Sequence, residues 1–104
     1  MAGNSPGAAG NRIELWGRVV AEPELRTTPA GTSILRIIVD AGGDLAMAAV
    51  MTGPQANSIR PSLRAGSQVR VRGSLKAMRR KMKSGLVDIG YEVMADAIEI
   101  LKGF

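Results

Sequence analysis

Between Arg60 and Lys83 every ionisable residue is basic: Arg60, Arg64, Arg70, Arg72, Lys76, Arg79, Arg80, Lys81 and Lys83. These nine leave five basic residues against all nine acidic ones elsewhere, so the net +5 is a strongly positive window beside a remainder of −4. Segregated charge of this kind makes a directional field that draws polyanions to one region. A solvated strand face is the plain reading of Arg70, Arg72 and Lys76. They lead, however, without an intervening acid into Arg79, Arg80, Lys81 and Lys83. Like charges this dense cost folding free energy unless an anionic partner compensates them, which points to nucleic acid.

Other chemistries have little to work with. The 104 residues contain no cysteine and no histidine, which removes disulfides, thiol nucleophiles, imidazole acid–base schemes and Cys/His zinc sites. Asp88, Glu92 and Asp96 recur at a spacing of four, but on a strand they fall on the polar side. No nucleophile elbow, phosphate-binding glycine loop or metal motif is present. The chain therefore reads as a binding protein without catalytic residues, cofactor or metal. Only Trp16, Tyr91 and Phe104 are aromatic.

The elements that position the cations follow from hydropathy patterning. MAGNSPGAAG, residues 1–10, has nothing to bury and reads as a disordered arm; residues 11–104 form one domain. Strict alternation from Ile13 to Val19 predicts a strand with Trp16 on its outer face, placed to stack on a base or to meet another subunit. AEPELRTTPAG follows as turn-forming sequence before a second strand over 32–40, and AGGD connects to a third over 45–52. Pro61 limits QANSIRPSLRAG to a short helix. Gln68–Lys76 alternates clearly, with Val69, Val71, Gly73 and Leu75 inward and Arg70, Arg72 and Lys76 outward. AMRRKMKSG, residues 77–85, reads as a projecting basic loop, in which Met78 and Met82 fill gaps. A final strand begins at Leu86 and places Tyr91 in the inward, core phase with Val87, Ile89 and Val93. Its alternation slips near Asp96, as a bulge would cause, although EVMADAIEIL also fits a helical period. Five strands with one short helix between the third and fourth suggest an all-β, five-stranded Greek-key barrel, the OB-fold.

Two blocks carry a resemblance. NRIELWGRVVAEPELRTTPAGTSILRIIVD, residues 11–40, resembles the first two strands of bacterial single-stranded-DNA-binding proteins, most specifically in PELRTTPAG. VMTGPQANSIRPSLRAGSQVRVRGSL, residues 50–75, is similar to their third strand, short helix and fourth strand, with GSQVRVRG the most specific piece. The likeness extends over about residues 11–101. It implies an OB-fold that binds single-stranded DNA without sequence preference, in association with the nucleoid. The lack of a bilayer-length apolar run and of a charged n-region before an apolar h-region separately leads to the expectation of a cytoplasmic protein with no membrane partner. Family members usually carry aromatics where this sequence has Ala46, Thr52 and Arg80. Fewer stacking platforms shift the expected binding energy toward phosphate contacts.

The primosomal, replication-restart branch of the superfamily is similar in relying on a lysine-rich segment between its fourth and fifth strands, where RRKMK stands here. That branch has a DNA-contacting lysine at the position of Arg26, for which an ion pair with Glu22 or Glu24 is the alternative. Arg36 extends the basic surface across the second strand or pairs with Asp40 or a cross-strand acid. General binders end in an acidic, Phe-terminated tip, to which LKGF corresponds only in Phe104. The resemblance implies a homo-oligomer, a dimer for the primosomal form and a tetramer for the general one. A replication-restart helicase and other primosomal proteins are the protein partners it implies. The expected nucleic-acid contacts are thus Trp16, Arg26, Arg36, Arg70, Arg72, Lys76, Arg79, Arg80, Lys81 and Lys83.

Overall fold

A computed structural model describes residues 10–102, with the side chains of Arg80 and Lys102 outside the description. The expected disordered arm, apart from Gly10, and the chain end at Gly103 and Phe104 lie outside the described residues. Six strands form one antiparallel-dominated sheet: β1 (Ile13–Val19), β2 (Glu24–Thr27), β3 (Ser33–Asp40), β4 (Ala46–Thr52), β5 (Gln68–Lys81) and β6 (Val87–Lys102). A six-residue helix α1 (Pro54–Ile59) and a single tighter turn at Arg60–Ser62 connect β4 to β5. Gly53, at φ 89°, turns the chain into α1, and Pro54 occupies its first turn, where a missing N–H costs nothing.

The sheet closes on itself. β1 pairs with β5 over Ile13–Arg18 and, at its end, with β3 through Arg18 and Val19. β3 continues to β4, β4 meets β6 in a short parallel pair, and β6 returns to β5. The strand count differs from the expectation of five because ELRT, read as part of a turn-forming segment, is a short strand that pairs with β3 alone. All four of its residues are exposed, so no alternation marks it. The arrangement, with its helix between β4 and β5, is consistent with the OB-fold.

Val19, Leu35, Ile37, Val39, Leu63, Val69, Val71 and Val93 fill the ring's interior, each completely or almost completely buried. Each such side chain contributes about 1.5–3 kcal/mol of transfer free energy. Two glycines set how tightly the ring closes. A Cβ at Gly17 would overlap the Asp40 carbonyl where β1 swings from β5 to β3, and one at Gly73 would overlap the Met94 carbonyl. Gly73 lies at a register shift: Arg72 faces Ala97 and Gly73 faces Ala95, leaving Asp96 as the extra residue of a bulge. The phase slip near Asp96 is therefore a bulge and not a helix. Arg12 reaches the Asp96 carboxylate at 3.1 Å.

The basic segment is not a loop. β5 continues through Lys81, and β6 starts at Val87, so residues 76–92 make a two-stranded arm that runs beyond the ring. Met82 and Leu86 close it: the Gly85 N–H donates to the Met82 carbonyl, the Met82 N–H donates to Leu86, and Gly85 has φ 90°. This is the three-residue hairpin connection with a glycine in the left-handed position. Tyr91, expected in the core, is 58% exposed. Its phase is that of Val93, but the ring's packed interior ends at Val93, and Val87, Ile89 and Tyr91 continue the same face into solvent.

Because the overlaps at Gly17 and Gly73 are with backbone, side-chain adjustment does not relieve them. Gly73→Val should cost on the order of 3 kcal/mol in urea unfolding; wild-type stability of that variant would contradict closure through this approach.

Candidate nucleic-acid interface

The expected contact residues occupy three surfaces. Strand alternation puts Trp16, Arg70 and Arg72 on the outside of the sector built by β1, the first half of β5 and the second half of β6. Arg26 and Arg36 lie outside β2 and β3. Lys76, Arg79, Lys81 and Lys83 lie on the arm. Arg80 is on the arm by its backbone, opposite Asp88; its side chain lies outside the described residues.

Arg70 is the most constrained of these cations. It faces Trp16 on β1 and Glu99 on β6. Its guanidinium hydrogen-bonds the Glu99 carboxylate through Nη2, while Nε lies 3.8 Å from a Glu14 oxygen, too far for a hydrogen bond. Two carboxylates thus compensate one half-buried guanidinium. Arg60, also half-buried, pairs with Glu22 at 3.5 Å and donates to the Leu63 carbonyl. Arg26 is exposed and only 4.0 Å from Glu24, a loose pair of small energetic weight. Asp40 takes no cation among the described residues and accepts the Gly42 N–H at 2.8 Å, fixing the β3–β4 turn.

The other expected cations whose side chains are described are differently placed. Arg36, Arg72, Lys76, Arg79, Lys81 and Lys83 are exposed, and no ion pair engages them among the described residues. On the arm the two faces differ. One presents Lys76 opposite Glu92 and Met78 opposite Gly90; the other presents Arg79 opposite Ile89 and Lys81 opposite Val87, with Ala77 opposite Tyr91. The second face carries cations and apolar groups but no acid. Such a surface suits a ligand with both anionic and flat apolar parts.

Arg36 links the arm to the ring. It borders a groove with Glu24, Arg26 and Ile34 and a second with Ala48, Met78, Gly90, Tyr91 and Glu92. Met78, Gly90 and Tyr91 were not among the expected contacts, since periodicity shows which face a residue takes and not where the packed interior stops. Trp16, 54% exposed, lines a separate groove with Arg18, Asp40 and Gln68. Ala46 and Thr52 are exposed on the outside of β4, so neither offers a ring for a base. Among the described residues no group of acidic side chains is gathered for a metal ion, and no helix is long and apolar enough to cross a membrane.

A closed β ring that carries an exposed cationic hairpin is a binding-type domain with a surface suited to a polyanion. The model of the single-strand binding protein family matches residues 10–101, and the chain belongs to that family. Membership supports single-stranded DNA binding, a non-enzymatic role and the oligomeric assembly typical of the family. A comparison with curated proteins found no match.

The charge environments separate structural from available cations. Arg70→Ala would remove the cation that Glu14 and Glu99 share and should cost about 1 kcal/mol or more of stability. Lys81→Ala and Lys83→Ala should stay within about 0.5 kcal/mol of wild type. Urea unfolding of the three variants checks this order, and an Arg70→Ala protein as stable as wild type would contradict it.

Proposed function

We propose that this domain binds single-stranded DNA without sequence preference, mainly through phosphates, and serves as a primosomal accessory protein in replication restart, similar to primosomal replication protein N. One observation carries the reading: the arm holds Lys76, Arg79, Lys81 and Lys83 exposed and free of ion pairs among the described residues. Arg36, and Arg26 with its loose partner, extend the cationic surface over β3 and β2. Phosphate contacts position a strand but do not read its bases, which accounts for the absence of sequence preference. Arg70 is taken up by two carboxylates, so its contribution in this reading is to field and fold more than to direct contact. Arg72 and Trp16 flank it on the β1 sector and would receive a strand that wraps around the ring.

Assembly as a homodimer accords with β1, whose Ile13–Gly17 stretch pairs with β5 on one edge only. A second reading, a general single-strand binder of replication, repair and recombination, is favoured by the exposure of both Trp16 and Tyr91, since aromatic platforms support base-tolerant stacking. It predicts cooperative coating of long strands and quenching of Trp16 fluorescence.

Binding of a ~30-nucleotide strand should weaken steeply between about 50 and 200 mM salt, with a log–log slope of about −0.7 per neutralised phosphate. Replacing Arg79, Lys81 and Lys83 together by alanine should make that slope shallower by about 2. Fluorescence anisotropy measures both. An affinity independent of salt would overturn the phosphate-based reading, and a restart role further requires association with a purified replication-restart helicase.

A further inference from the structure

Gly90 is an anomaly within the arm. It lies in the interior of β6, directly opposite Met78, where a side chain would strengthen strand pairing and glycine weakens it. Neither usual reason for glycine applies: its φ is not positive, and a Cβ built on it would meet nothing within 4 Å. What its missing side chain does is open a groove, walled by Met78, Tyr91 and Glu92 on the arm and by Arg36 and Ala48 on the ring.

We propose that this groove is a nucleobase subsite, with Gly90 as its floor. The inference rests on the single-stranded-DNA reading and adds to it a position where a base, and not only the backbone, is held. The lining determines which part of the strand enters. Glu92 repels a phosphate but accepts hydrogen bonds from exocyclic amino groups. Met78, on the same face as Gly90, presents polarizable surface of the kind bases pack against, while Tyr91, whose side chain belongs to the arm's other face, borders the groove as the residue next to Gly90. Arg36, exposed and without an ion pair among the described residues, stands at the rim, where the phosphate flanking an inserted base would lie. In register, Lys76 faces Glu92 across the arm and offsets its charge toward the backbone. The arm thus contributes cations along its length and one notch, floored by Gly90, near its root.

The test is Gly90→Val, with Gly90→Ala as a milder companion. Both residues fit the open space and an ordinary strand backbone, so melting temperatures should equal or exceed that of wild type. Gly90→Val should bind an intact ~30-nucleotide strand about tenfold more weakly than wild type, with Gly90→Ala between them. On the same strand made abasic, wild type and both variants should bind alike, because no base remains for the side chain to displace. Equal affinity of Gly90→Val and wild type for the intact strand would overturn the subsite alone, as would an equal loss on the abasic strand. Failure of the wild-type protein to bind intact single strands would instead overturn the function on which the subsite rests.

Discussion

Ring closure is the constraint on which the rest of the structure depends. β1 has seven residues and must serve two neighbours, β5 along most of its length and β3 at its end. That change of partner requires the backbones to approach at Gly17, and the return of β6 along β5 requires a second close approach at Gly73 beside the Asp96 bulge. Strands with a Cβ at those points would splay, and the fully buried valines and leucines inside would lose contacts with the opposite wall.

Closure also fixes where the packed interior stops. β1 covers β5 only from Gln68 to Gly73, and β4 touches β6 only around Val93 and Met94. On the hairpin side of those contacts, residues 76–92 have a single strand partner and no core. A two-stranded hairpin is marginally stable by itself in water, so the arm is held by its root in the ring. Its exposed Val87, Ile89 and Tyr91 supply the β-propensity that keeps the pairing while remaining available to a ligand. The same geometry explains why cations from one basic run have unlike roles. Arg70 lies within the covered part of β5, where acids from β1 and β6 reach it, whereas Arg79 and Lys81 lie past the ring opposite apolar residues.

Much of this was legible in sequence because alternation is a local signal. Ile13–Val19, Ser33–Asp40 and the start of β5 show one buried face, Pro61 limits the helix, and the phase change after Val93 marks the bulge. ELRT escaped because a strand exposed on both faces has no period. AMRRKMKSG reads as a loop because basic and apolar residues are mixed at its even positions (Met78, Arg80, Met82) and at its odd ones (Ala77, Arg79, Lys81), leaving no alternation to detect. Tyr91 was assigned to the core because its phase matches Val93; no local pattern reports how far a ring extends along its strands. The Arg70–Glu99 contact was accessible in principle. Counting the hairpin register back from the Gly85 turn and adding one residue for the bulge brings Glu99 opposite Arg70, but the count needs the arm to be recognised as strand first.

The central claim is that single strands are gripped electrostatically on the arm and along its junction with the ring. Amide hydrogen exchange, with and without a ~30-nucleotide strand at low and high salt, addresses it directly. The account predicts that DNA slows exchange across residues 76–92 and at the β2–β3 hairpin, and that high salt removes this protection while leaving the buried amides of β1 and β3 unchanged. Protection confined to the Trp16 face of β1, or protection of the arm that survives high salt, would contradict it.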